Sequence, residues 1–106
     1  MTLYTINDNT GSSNQIFKQT YLDDGYFRLD PTHTSGMSLD LHGTTGVAQI
    51  YPTHNGSNQK FKTVSTGDSD GSVYIVSESG LYLTYNSSAE IYGASSPSKM
   101  SKWYIY

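Results

Sequence analysis

Between residues 40 and 59 the chain carries, in order, a carboxylate (Asp40), an amide (Gln49), a phenol ring (Tyr51), an imidazole (His54) and an adjacent amide pair (Asn58 and Gln59). A carboxylate can accept hydrogen bonds from two neighbouring hydroxyls, an amide can donate back to one of them, and a ring can stack on an apolar C–H face. Neutral sugars offer that combination of groups. Covalent chemistry has weaker support. The chain has no Cys, so it offers neither a thiolate nucleophile nor a thiolate metal site. No Ser stands in an elbow motif with a His placed to activate it. The adjacent carboxylates Asp23 and Asp24 precede Gly25 in a turn, where they are better solvated than poised for glycoside hydrolysis. The chain is therefore expected not to be an enzyme and to need no cofactor.

Metal chemistry is not expected either. His33, His42 and His54 are not spaced as a ligand pair on one element, and a zinc site needs three or four converging ligands. The run Asp68-Ser69-Asp70-Gly71 resembles the start of a calcium loop, but no Glu follows at the required distance, and a hairpin turn explains it.

The elements that must position these side chains follow from composition. Only 14% of the 106 residues are charged, ten are Tyr, and Gly, Ser, Thr and Asn are abundant. Tyr and Thr suit a pleated surface, while Gly, Ser and Asn suit turns, so the class is all-β. No window shows the spacing of an amphipathic helix, whereas short runs bounded by turn residues recur. Ten strands are expected, at 2–6, 15–20, 26–30, 37–42, 47–51, 59–64, 73–77, 81–85, 89–92 and 102–106. Residues 1–106 form one domain. A net charge of −3 with six Lys and Arg argues against nucleic acid as partner. No apolar run is long enough to span a membrane.

The order of these elements is repetitive. Asn14-Gln15-Ile16-Phe17 returns as Asn58-Gln59-Lys60-Phe61, and in decayed form as Met100-Ser101-Lys102-Trp103. Ser35-Gly36-Met37-Ser38-Leu39-Asp40-Leu41 matches Ser79-Gly80-Leu81-Tyr82-Leu83-Thr84-Tyr85, and Val47–Tyr51 matches the stretch ending Ala89-Glu90-Ile91-Tyr92. Repeats of this kind are stacked units that share one core. Each unit, about 42–44 residues long, is expected to hold four strands, with the Gln and its aromatic on the third. On this alignment Leu3-Tyr4-Thr5-Ile6 corresponds to Val47–Tyr51. The first unit then lacks its opening strand and the third its closing strand.

The segments Ser38-Leu39-Asp40-Leu41-His42-Gly43, Val47-Ala48-Gln49-Ile50-Tyr51 and Asn58-Gln59-Lys60-Phe61 resemble the ricin B-chain type lectin repeat, whose hallmark is Gln-x-Trp. Phe17 and Phe61 stand where that family has Trp. The resemblance implies a β-trefoil, in which six strands close a short barrel and three hairpins cap one end, here lacking the first and last barrel strands. It further implies a non-catalytic domain binding glycans, with galactose-type sugars the commonest ligand. An opened barrel would leave unpaired strand edges, and with them a route to a homodimer or larger assembly. A trefoil can also be a protein-docking module, such as a protease inhibitor or toxin-complex subunit, and that is the alternative.

Within the resemblance, Asp40 matches the pocket carboxylate, Tyr51 the stacking platform, Asn58 the amide that shares a hydroxyl with Asp40, and Gln59 the residue that steadies the pocket. Gln49 stands two before the platform, and His54 borders the sugar by position. The third unit is poorer: Thr84 replaces the carboxylate, Met100 the amide, and Lys102 falls near the Gln position, so Thr84, Glu90 and Tyr92 make at most a weak second site. The first unit keeps Asn14 and Gln15 but has Asn7 as platform, and is expected to be silent. The sequons Asn55-Gly56-Ser57 and Asn86-Ser87-Ser88 favour an unglycosylated context, because a glycan on the first would obstruct the pocket. A glycan-facing, extracellular destination is expected, although Met1-Thr2-Leu3-Tyr4 does not open a signal peptide.

Overall fold

The computed structural model describes residues 3–5, 17–32, 35–85 and 91–105. Ten strands run through them: β1 (Leu3–Thr5), β2 (Phe17–Tyr21), β3 (Phe27–Pro31), β4 (Met37–Leu41), β5 (Ala48–Pro52), β6 (Phe61–Ser65), β7 (Val73–Ser77), β8 (Tyr82–Tyr85), β9 (Ile91–Ala94) and β10 (Lys102–Ile105). Two single-turn 3-10 helices, Ser57–Gln59 and Lys99–Ser101, lead into β6 and β10.

Local chemistry sets the hairpins. In β3, Phe27, Leu29 and Pro31 are buried and Arg28 and Asp30 half-buried, the period-2 alternation of a strand with one face in a core. Between β2 and β3 the Asp24 carboxylate accepts from the Tyr26 amide at 3.2 Å, and Gly25 takes a φ of +89°, which a side chain would resist. The β6–β7 turn repeats the device, with Asp70 accepting from the Ser72 amide at 3.0 Å and Gly71 at φ +79°. Each of these two turns is tied to the strand entry of the following repeat: Lys60 pairs with Asp24, and Lys102 with Asp68.

The aromatics that echo along the sequence meet in space. Phe17, Phe61 and Trp103 are all buried, in one cluster with Phe27, Leu29, Leu39, Leu41, Ile75, Leu83 and Tyr85. Three repeats thus contribute one ring each to a shared core, burying area that no single repeat could. The Trp103 ring nitrogen donates to the Leu83 carbonyl at 2.8 Å, satisfying the polar tip of the largest ring.

The sheet corrects the expected position of the missing strands. Six strands follow one another in the hydrogen-bonded order β1-β10-β7-β6-β3-β2, with β4–β5 and β8–β9 forming hairpins off this path. β1 pairs antiparallel with β10, Leu3 opposite Ile105 and Thr5 opposite Trp103. β1 and β10, both among the ten expected strands, are therefore neighbours in that order, so the edge of β10 that was expected to stand open for want of a closing strand is covered by Leu3–Thr5. Leu3–Thr5 does not play the part of β5, a capping-hairpin strand, as the repeat alignment held. The hairpins lie in residues 32–60 and 78–101, whereas β1 and β2 are separated only by residues 6–16, which lie outside the described residues. Apolar alternation looks the same in a barrel strand and a hairpin strand, so only the pairing could separate the two.

Gln59 is likewise not on a strand but in the 3-10 helix before β6. Its side-chain oxygen accepts from the His54 and Asn55 amides at 2.8 and 3.2 Å, which draws residues 54–59 into a tight loop. Its counterpart in the third repeat is Ser101, not Lys102, which aligns with Lys60.

Candidate functional site

The β4–β5 hairpin carries most of the predicted residues. Ser38 lies opposite Tyr51 and Asp40 opposite Gln49. Directly opposed residues share a face, and residues two apart on a strand share it too, so Ser38, Asp40, Gln49 and Tyr51 all project from one face. The other face turns Leu39 and Leu41 into the core. Gln49 and Tyr51 are exposed, while Ser38 and Asp40 are covered by the loop that follows β5.

That loop is built around Gln59. Its amide nitrogen donates to Asp40 Oδ2 at 3.2 Å and to the Pro52 carbonyl at 3.0 Å, while its oxygen takes the two backbone amides. His54 Nδ1 accepts from the Gly56 amide at 2.9 Å, which fixes the remaining ring proton on Nε2, 3.4 Å from Asp40 Oδ2. The imidazole also meets the Tyr51 ring edge-on, centroids 5.9 Å apart. Asp40, Tyr51, His54 and Gln59 thus form one contiguous group. Asn58 is half-buried, and its side-chain oxygen would lie 3.2 Å from a Cβ placed on Gly43, so it rests against the backbone just beyond β4.

The polar accounting leaves one atom over. Asp40 is 2% exposed, and its Oδ1 is a buried oxygen without a hydrogen-bond partner among the described residues. An unsatisfied buried acceptor costs on the order of 1–3 kcal/mol. The carboxylate is therefore covered by a half-exposed His54 ring and has unused capacity to accept, with Gln49 directly opposite it on β5.

The third repeat is wired differently. Thr84 is buried, donates to the Tyr82 carbonyl at 2.9 Å and shares a 2.8 Å hydrogen bond with Ser101. A neutral hydroxyl pair replaces the Asp40–Gln59 pair. Tyr92 lies opposite Thr84, the register that Gln49 has opposite Asp40; the register of Tyr51 falls to Ala94, opposite Tyr82. The alignment by Ile-Tyr had placed Tyr92 two residues away from this. Glu90 is outside the described residues, as are Asn7, Asn14, Gln15 and His33.

A separate cleft of about 580 Å³, with Lys18, Arg28, Asp30, Met37 and Thr53 in its walls, went unnoticed in the sequence. Asp30 there is fully engaged, accepting from Thr20 (3.1 Å), Ser38 (2.7 Å) and both Nε and Nη2 of Arg28 (3.3 and 3.1 Å). Burial favours its neutral form, but the bonds from Arg28, Ser38 and Thr20 outweigh that and hold its pKa below the ordinary 3.8. Arg28 Nη1 also reaches Asn55 Oδ1 at 3.0 Å, bracing the loop that carries His54. The sequence signal for it is the Asp23-Asp24-Gly25 turn, which closes the hairpin that sets Lys18 opposite Asp30.

His42 Nδ1 accepts from the amides of Thr44 and Thr45, and no group of three metal-ligating side chains occurs among the described residues. No helix among the described residues is long and apolar enough to cross a membrane.

No protein-family model matches the chain, and no curated protein matches it. Among solved structures, the chain is similar to a designed 3-fold symmetric protein, ThreeFoil, with a TM-score of 0.71 and 28% identity over 91% of this chain and 74% of that one. It is also similar to SeviL, solved bound to the asialo-GM1 saccharide, with a TM-score of 0.75 and 15% identity over 99% of this chain and 86% of that one. Three sequence repeats, one shared core with a ring from each, six barrel strands and these likenesses lead to one conclusion: the chain is an all-β protein with the β-trefoil fold.

Proposed function

We propose that this domain is a non-catalytic carbohydrate-binding module of the ricin B-like kind, with its main site on the middle repeat. The unpartnered Oδ1 of Asp40 carries the proposal. A sugar hydroxyl that displaces the His54 ring would supply the missing donor and convert an unfavourable buried group into a charge-assisted hydrogen bond. Tyr51 then offers its exposed ring to the C–H face, and Gln49 and Asn58 offer amides to neighbouring hydroxyls. Gln59 holds the carboxylate in place and does not itself need to touch the ligand. Galactose-type sugars are the proposed class. The likeness to a protein solved with a bound saccharide supports glycans as ligands.

The test is a glycan array followed by titration calorimetry, comparing the wild type with Asp40→Asn. The variant keeps the shape of the side chain and replaces one carboxylate oxygen by an amide donor. Loss of binding with an unchanged melting temperature is the expected result; equal binding by both proteins would overturn the site.

The rival, a protein-docking trefoil, has one observation in its favour: β1 and β2 stand at the two ends of the sheet order with no pairing between them among the described residues. Absence of binding to every glycan would favour it, as would a sedimentation mass above that of the monomer.

A further inference from the structure

We infer that the sugar site is the start of an extended groove, and that the ligand is a linear oligosaccharide gripped at its far end by Tyr92; this rests on the carbohydrate-binding proposal above. The two capping hairpins are joined backbone to backbone. Gly93 donates its amide to the Gly46 carbonyl at 2.6 Å, and Val47 forms an antiparallel bridge with Tyr92. The approach depends on the absence of a side chain: a Cβ on Gly46 would lie 2.2 Å from the Gly93 carbonyl oxygen, and Gly46 has a φ of +74°.

This junction sets the neighbours of the site. Tyr51 and Gln49 project from one face of β5, Val47 continues the alternation in the bridge just before that strand, all three are exposed, and the bridge places Tyr92 beside Val47. Tyr51 is 46%, Val47 55% and Tyr92 39% exposed. At about 3.3 Å per residue along the strand and about 5 Å across the bridge, the two tyrosines stand roughly 14 Å apart. That separation exceeds the reach of one pyranose ring.

The strip therefore reads ring, amide, aliphatic, ring, an alternation that suits a chain of sugars presenting C–H faces and hydroxyls in turn. A folded hydrophobic partner would want a continuous apolar patch, and Gln49 interrupts this one. Tyr92, displaced by register from the platform position of its own repeat, is thereby made available to the site of the preceding one.

The experiment is an array presenting each terminal sugar on chains from monosaccharide to pentasaccharide, probed with the wild type, Tyr92→Ala, Tyr92→Phe and Asp40→Asn, each checked by its melting curve. The expected result is that affinity rises with chain length in the wild type, that Tyr92→Ala loses about three- to tenfold on long chains but not on the monosaccharide, and that Tyr92→Phe retains the gain. No gain with length, or a gain that survives in Tyr92→Ala, overturns the groove while Asp40-dependent monosaccharide binding still upholds the site. Binding to no glycan, or binding indifferent to Asp40→Asn, overturns both.

Discussion

Gln59 and Asp40 are joined through a single 3.2 Å hydrogen bond in the protein interior, and that bond locks the loop carrying His54 over the one carboxylate of the candidate site. The pair stands 19 residues apart in sequence and links the entry of β6 to the middle of β4.

Gln59→Leu should cost about 2–4 kcal/mol, because the amides of His54 and Asn55, the Pro52 carbonyl and Asp40 Oδ2 all lose a partner in or near the interior. Urea unfolding followed by Trp103 fluorescence measures this. A loss under 1 kcal/mol would mean that water replaces the side chain readily.

Thr84→Val in the third repeat should cost less, about 1–2 kcal/mol, since the pair it breaks is uncharged and shape is preserved. The same unfolding curve checks it, and sugar binding at the middle repeat should be unaffected.

Asn58→Ala should weaken glycan binding about five- to tenfold with little change in melting temperature. The Asn58 side chain makes no hydrogen bond among the described residues, so its removal leaves none of their polar groups unpaired. Calorimetry beside a thermal melt separates the two effects; a large drop in melting temperature with unchanged affinity would make the residue structural.

Gly46→Ala should destabilise the domain by about 2–3 kcal/mol, combining the positive φ with the contact against the Gly93 carbonyl. Thermal or urea unfolding tests it.

Asp30 sets an acid limit on stability. Its folded pKa lies below the ordinary 3.8, so its stabilising contribution is complete above that value and is lost as pH falls through the lowered one. Stability measured from pH 6 down to pH 2 should decline less steeply in Asp30→Asn, which starts from a lower plateau. Parallel slopes for the two proteins would locate the acid sensitivity elsewhere.

The resemblance to the lectin repeat implied that Asp40, Tyr51, His54 and Gln59 would gather; the amino-acid sequence alone determined the β class, the ten strands to within about two residues at each described boundary and the rings that build the core. Those are consequences of local alternation, turn chemistry and internal repetition, all written in neighbouring residues. Pairing decided the rest. Leu3–Thr5 became a barrel strand because it meets β10, Ser101 bonds Thr84 where Gln59 bonds Asp40, and Tyr92 falls two positions out of register with Tyr51 because the β8–β9 connection is only one residue shorter than the β4–β5 one, where matching the two rings needs three. The cover over Asp40, too, arises from side chains brought together across β4, β5 and a 3-10 turn. Contacts of that kind depend on which distant segments share the available space, and no spacing along the chain encodes that.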